Sequence, residues 1–439
     1  MTNNLFVSGG RIVDAVNNFD ATAELLIADD HIESCSKNIK KPINCKIIDA
    51  KDKLVIPGLV DSHMHVSNSI EGYYMLAHAG VSSALDMLGF EKEIVPFLEK
   101  AQTGLTLGYL YPILPNRTVS GIDPGKEELK DVITKALKEK AFGIKIIGGH
   151  FPITPEAQRK ILEICNELSC YCAIHVGSTE NGSNINGLAE LADFAGNLPV
   201  HVAHVNSYCR GQITGNPIEE AGRALNILKK LKNAHSESYL NVINGCSGRI
   251  VDSVPLSNVT KNCLRAKNYP ETAAGLLKAI QDGWAQVHGK RNLETVLLPP
   301  EEGYAHYNDA NNIDKTLSFA VNCPGAQIAI ACAKEKDQFI VNALSTDGGR
   351  FPRNTTLAKG LALVQFGAMT MLEFVQKACY NPAQMLSLKN KGHFTPGADA
   401  DICIVDPITA NVDYLISGGK IVYHADQFFN VPGRLFSSK

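Results

Sequence analysis

Apolar residues follow two rhythms along this chain. Over the first 55 residues they come in short strand-like bursts: LFVSGGRIVDA, AELLIAD, HIESCS, KIIDA and KLVIPG. The last 45 residues repeat the style, with ADICIVDP and DYLISGGKIVYHA. Turn formers such as Gly9–Gly10 and Asp29–Asp30 separate the bursts. Ser8-Gly9-Gly10-Arg11-Ile12-Val13 near the start is echoed by Ser417-Gly418-Gly419-Lys420-Ile421-Val422 near the end. Either two unrelated hairpins share a turn, or both ends build one small β-sandwich. The sandwich is the expectation here, from residues 1–55 and 395–439.

Between the ends the rhythm changes. Near-continuous apolar runs at 55–66, 81–88, 105–114, 142–149, 171–178, 200–207, 240–248 and 339–349 read as strands. Segments such as KEELKDVITKALKEK and TPEAQRKILEICNEL lie between them, with apolar residues every three or four positions. Apolar strands alternating with helices predict a parallel sheet covered by helices. Eight such strands close a (β/α)8 barrel, over 56–394. The seventh and eighth runs are separated by residues 249–338, too long for a βα loop. That interval predicts an insertion beside the barrel's C-terminal face, either a lid over a site or an oligomer contact.

Composition narrows the function. With 45% hydrophobic and 20% charged residues, the 439-residue chain is globular, with no sign of disorder. A net charge of −3 and no long basic run argue against a nucleic-acid partner. No run of 18 apolar residues and no signal-peptide opening appear, so a cytoplasmic chain without a membrane span is expected. The 12 cysteines are scattered without a CxxC pair and read as reduced, mostly buried thiols.

The 13 histidines are more telling by position. His63 and His65 end the first strand, on one face by alternation, so both imidazoles can reach one cation. Lys145 interrupts the apolar fourth strand, His175 ends the fifth, His201 and His204 lie on the sixth, and Asp347 ends the eighth. Taken singly, a strand histidine is a hydrogen-bonded core residue and an Asp before Gly is a turn former. A lysine among isoleucines is harder to dismiss, because a buried ammonium must be paired, deprotonated or modified. All of these fall where a barrel of this kind carries its chemistry, at the C-terminal ends of strands.

The segment Pro57-Gly58-Leu59-Val60-Asp61-Ser62-His63-Met64-His65 resembles the first-strand signature of the amidohydrolase superfamily. The resemblance extends over nearly the whole chain. It includes His78-Ala79-Gly80-Val81-Ser82 at the second strand and Thr395-Pro396-Gly397-Ala398-Asp399-Ala400-Asp401 leading into the C-terminal strands. It implies two divalent cations, zinc for a histidine-rich set, that activate a hydroxide to hydrolyse an amide C–N bond. It assigns His63 and His65 to the more buried metal and Lys145, as a carbamate formed with CO2, to the bridge. His175 and His204 fall to the second metal, His204 fitting better than His201. Asp347 binds the first metal and handles the proton.

Within the superfamily the chain is similar to the isoaspartyl dipeptidases, D-aminoacylases and the hydantoinase/dihydroorotase group. That similarity implies a small carboxylate-bearing substrate: an N-acyl amino acid, a dipeptide, or a cyclic amide or imide. Lys145 favours the dipeptidase and cyclic-amidase side, because D-aminoacylases typically place a cysteine in the bridging role. Phe351-Pro352-Arg353 looks more like the aminoacylases. Arg210, Arg249, Arg350 and Arg353 are candidates for a substrate carboxylate, and His150 for the pocket wall. Each could equally anchor a loop. Homo-oligomers are common for this architecture. Two other readings keep the fold. A mononuclear deaminase would place a Glu near the fifth- or sixth-strand histidine and lack the lysine. A non-catalytic scaffold would have lost ligands.

Overall fold

The computed structural model describes residues 4–312 and 314–438. The two ends of the chain share one sheet. Asn4–Asp14 pairs with Phe19–Ala28, and that strand with His31–Ser36. On the other side Leu54–Pro57 pairs with Ile402–Val405, which leads on to Val412–Ser417 and Lys420–His424. Leu5, Val7, Ile12 and Leu25 from one end pack with Ile402, Ile404 and Ile416 from the other. The echoed Ser-Gly-Gly motifs differ in role. Ser417–Lys420 closes a hairpin. Gly9–Gly10, expected as a turn between strands, instead lies inside the 11-residue strand as a bulge, with Gly9 at φ 79°. A left-handed glycine lets a strand bend without ending.

The barrel strands are β1 (Leu59–His65), β2 (Val81–Asp86), β3 (Thr106–Ile113), β4 (Gly143–Ile147), β5 (Tyr171–His175), β6 (Val200–Val202), β7 (Ala234–Tyr239) and β8 (Ala343–Ser345). Neighbours pair parallel in chain order. Gly348 and Gly349 then pair back onto Met64 and His65 of β1, closing the ring next to Asp347. Strands β2 and β3 are buried at every position, as expected for strands covered on both faces. The helix Lys126–Lys138 turns Leu129, Ile133 and Ala136 to the core, one stripe at helical spacing. The helix Pro155–Glu167 starts on Thr154, whose side chain accepts from the Ala157 N–H.

Strand β7 lies just ahead of the apolar run at 240–248 that was expected to form it. Ser236, Glu237 and Ser238 are buried yet polar, so hydrophobicity does not mark this strand. The 240–248 run instead leads out of the barrel. There Cys246–Ser247, Thr316–Ser318, Gln286–Arg291 and Glu294–Leu297 form a small antiparallel sheet. Leu264, Leu276, Ile280, Val287, Leu317 and Phe319 give this excursion its own core. Lys290–Glu71 at 2.7 Å and His78–Glu294 at 3.2 Å tie it to the barrel helix Ile70–His78. The chain returns through the helix Pro324–Cys332, which packs on Pro217–Leu228.

The C-terminal tail also joins the barrel. Arg434–Leu435 adds to β3 at Thr106 and Leu107, and the Phe436 ring meets that of Phe142. All 12 cysteines are free thiols. No helix among the described residues is long and apolar enough to cross a membrane.

Candidate metal centre

Strand alternation sends His63 and His65 toward the same carboxylate. Their Nε2 atoms lie 3.3 and 3.2 Å from Asp347 Oδ1. The ligand-capable atoms of all three residues fall within 4.8 Å of one another. The backbone holds them in place. Asp347 N–H donates to the His63 carbonyl at 2.8 Å. The Asp61 carboxylate accepts the N–H groups of His63 and Thr346, joining the ends of β1 and β8. Asp347 and His204 both take left-handed backbone angles, φ 47° and 30°. Such angles cost residues with a β-carbon energy and cluster at functional sites.

A second group lies beside the first. Lys145 comes from β4, His175 from the end of β5, and His204 from just past β6. The His204 ring lies 4.4 Å from that of His175 and 4.9 Å from that of His63, so it adjoins both groups. A β-carbon on Gly149 would fall 2.1 Å from His175 Nε2, so the glycine leaves room for that imidazole. Lys145 is 3% exposed, and the one acceptor its Nζ meets among the described residues is Met87 Sδ at 3.4 Å. Burial pulls its pKa down to about 8, against the pull of Glu237 and Asp347.

The sequence reading missed Glu237. This β7 residue is wholly buried. Its Oε1 accepts from His63 Nδ1 at 2.6 Å and from the His204 backbone N–H at 2.5 Å. Its Oε2 accepts from the Ser345 hydroxyl. Burial would raise its pKa, but His63 and His201 hold it well below the usual carboxylate range. Burial takes His63 down to about 4 in spite of Glu237, so the imidazole is neutral at pH 7. With Nδ1–H spent on Glu237, the Nε2 lone pair faces Asp347, the tautomer a metal ligand needs. In sequence no Glu adjoins His204, yet the fold puts one against its backbone. The Glu237 carboxylate thus receives three donors, from His63, the His204 backbone and Ser345. A Glu between two serines carries no sign of burial, which is why no local pattern singled it out.

The remaining candidates separate by partner. Arg353 is 3% exposed and pairs with Asp347, Nη2 to Oδ1 at 2.8 Å, between the rings of Tyr239 and Phe351. Burial raises the Asp347 pKa, but Arg353 and His63 outweigh it and hold the carboxyl well below its usual range. Arg350 Nη2 donates to Thr316 Oγ1 at 3.1 Å, linking the barrel rim to the excursion. Arg210 donates to Asn322 Oδ1 at 2.9 Å and Ser207 Oγ at 3.3 Å, both neutral. Arg249 is exposed. His150 stacks edge-on against His175, and burial lowers its pKa to about 4. His201 turns instead to the Tyr171 hydroxyl at 2.8 Å. Apart from His201, all the residues singled out from sequence line one cavity of about 1700 Å³, whose outer wall includes Trp284 and His288 of the excursion.

These residues fit a metal. His204 Nδ1 is buried without a hydrogen-bond partner among the described residues, a state that usually costs about 1–3 kcal/mol unless a bound group fills it. His63, His65 and Asp347 form an oxygen–nitrogen set suited to zinc-like ions.

Comparison with known proteins agrees with this fold. The amidohydrolase family profile matches residues 295–424. A dihydroorotase of Geotalea daltonii is 23% identical over 92% of this chain and 90% of its own length. The structure of an N-acyl-D-glutamate deacylase from Bordetella bronchiseptica, complexed with zinc and a phosphonate inhibitor, superposes with TM-score 0.69 at 12% identity, covering 100% of both chains. A D-hydantoinase from a Thermus species superposes with TM-score 0.64 at 14% identity, covering 99% of both.

Proposed function

We propose, from the premise that this chain belongs to the amidohydrolase superfamily, that it cleaves the amide bond of a small carboxylate-bearing substrate. Its reaction class is hydrolysis of carbon–nitrogen bonds. The substrate is an N-acyl amino acid, a dipeptide or a cyclic amide. The observation that carries this reading is Lys145, a buried amine with no carboxylate partner among the described residues, lining one cavity with His63, His65, His175, His204 and Asp347. A neutral amine adds CO2 and loses a proton, which converts the misplaced ammonium into an anion with two ligand oxygens.

His63, His65 and Asp347 would hold one divalent cation, His175 and His204 a second, and carbamylated Lys145 both, with zinc the fitting metal. Such cations, when bound, acidify water and polarise a carbonyl. Asp347 handles the proton. Arg353 engages its Oδ1, and the carboxylate would accept a proton from water and return it to the leaving nitrogen. Arg353 keeps that carboxylate ionised and aimed. Arg210 orients the substrate carboxylate through its unused guanidinium N–H groups.

Metal analysis joined to a screen of N-acyl-D- and L-amino acids, dipeptides and cyclic imides tests the reading. Two metals per chain and turnover of one amide class are expected. Lys145→Ala is expected to lose the second metal and most activity; full activity with two metals retained would overturn the bridge. A one-metal variant of the same chemistry has one observation on its side: the compact three-residue group contains only the first site. One metal per active chain would establish it.

A further inference from the structure

The cavity is larger and more cationic than the proposed substrate class needs. Small-molecule sites usually measure ~300–1,000 Å³, whereas this one encloses about 1700 Å³. The chain carries a net charge of −3, yet Lys and Arg outnumber Asp and Glu around the cavity by more than two to one. Some of that charge is spent. Arg353 pairs with Asp347, Lys290 with Glu71, and Arg350 lies 3.9 Å from Asp314. Arg210, Arg249 and Lys267 have no ion-pair partner among the described residues.

These three cations are not scattered. Arg210 is set for a ligand: Glu220 accepts the N–H groups of Gly211, Ile213 and Thr214 and so fixes its loop. Asn322 spends its Nδ2 on Tyr239 and two backbone carbonyls, which turns its Oδ1 to Arg210 Nε. Arg210 and Cys263 of the excursion line the same cavity. The Cys263 carbonyl accepts the Trp284 indole N–H at 2.9 Å, and Lys267 Nζ stands 5.4 Å from the Trp284 ring centroid. Arg210, beside His204 in sequence, and the exposed Lys267 of the excursion thus line one cavity with the metal-type residues. Arg249, at the start of the excursion, lines the same cavity. Unpaired like charges converging on one cavity repel one another unless an anion joins them.

We propose that the substrate is an extended polyanion. One anionic group, next to the scissile amide, sits on Arg210, and at least one more lies under the excursion on Lys267 and Arg249. This rests on the hydrolase reading for the position of the amide, but not for the anion path.

The test uses the full-length protein and its single tryptophan, Trp284. Binding of glutamate, diglutamate and triglutamate is measured by calorimetry and by Trp284 fluorescence. Affinity is expected to rise about tenfold or more from glutamate to triglutamate, the scale of one charge-assisted contact, with fluorescence responding to the longer probes. Arg249→Gln with Lys267→Gln is expected to leave glutamate affinity unchanged and abolish the gain with length. Equal affinity for all three probes, or a gain that survives the double variant, would overturn the path. Because binding needs no turnover, a chain that binds in this pattern but cleaves no amide would refute the hydrolase reading alone. A chain that cleaves amides without the length dependence would refute the polyanion alone.

Discussion

At the scale of single residues, the centre depends on groups that hold other groups. Glu237 is a positioning residue: it sets the His63 tautomer and fixes the His204 backbone. Glu237→Gln should cost about 10–100-fold in metal affinity, the usual effect of losing such a partner. Competition with a zinc chelator reads this directly, and unchanged affinity would remove Glu237 from the support of the site. Asp347→Asn should lower turnover by about 10²–10⁴-fold, since a neutral amide cannot accept the proton. Stopped-time assays on metal-loaded protein measure the loss. Gly149→Ala would drive a β-carbon into His175 Nε2, so metal content should fall toward one per chain with the fold intact by circular dichroism. At this scale His63, His65, Lys145, His175, His204 and Asp347 were legible as candidates because each is a conspicuous residue type on a barrel strand or just past its end. Glu237 and the Arg353–Asp347 pair were not, because their meaning lies in partners remote in sequence.

At the scale of elements, the β-rich domain is bound to the barrel by a buried charge cluster. Lys391 Nζ lies 2.5 Å from Asp401 and 2.9 Å from Asp399, the two acids of the C-terminal Gly-Ala-Asp-Ala-Asp stretch. Asp401 also accepts the Gly418 N–H. Burial opposes the charge, but Lys391 wins and holds the Asp401 carboxyl below its usual range. A depressed carboxyl pKa contributes stability above the unfolded value of ~3.9 and loses it as pH falls through the folded value. Asp401→Asn should therefore destabilise by about 2 kcal/mol at pH 7, the worth of a charged hydrogen bond. Urea midpoints for wild type and variant should draw together as pH falls below the unfolded value of ~3.9 and through the lower folded one; a gap of constant size would exclude the ion pair as its source. Elements with a clean apolar period were legible in the sequence. Strand β7 was not, because its buried face is Ser and Glu rather than Val and Ile.

At the scale of the whole molecule, the last residues of the chain complete structure begun near its start. The tail pairs with β3 and places Phe436 against Phe142 and Gly108. Phe436→Ala should cost about 2 kcal/mol, less than a fully buried Phe because this ring is only partly covered. Thermal melts would show it, and an unchanged midpoint would mean the tail is not part of the cooperative unit. The alternation of apolar runs and helical stripes was enough to place the parallel barrel strands other than β7, and with them the strands on or just after which His63, His65, Lys145, His175 and Asp347 stand. That follows because side-chain period and strand direction are local properties of the chain. Which partner each residue meets is not local. His63 finds Glu237 across 174 positions, and Asp61 finds Thr346 across 285. Only barrel closure brings such residues within reach. The same closure sets the excursion's Trp284 and Lys267 along the cavity that holds His204, turning a long interval between two strands into a wall of the site.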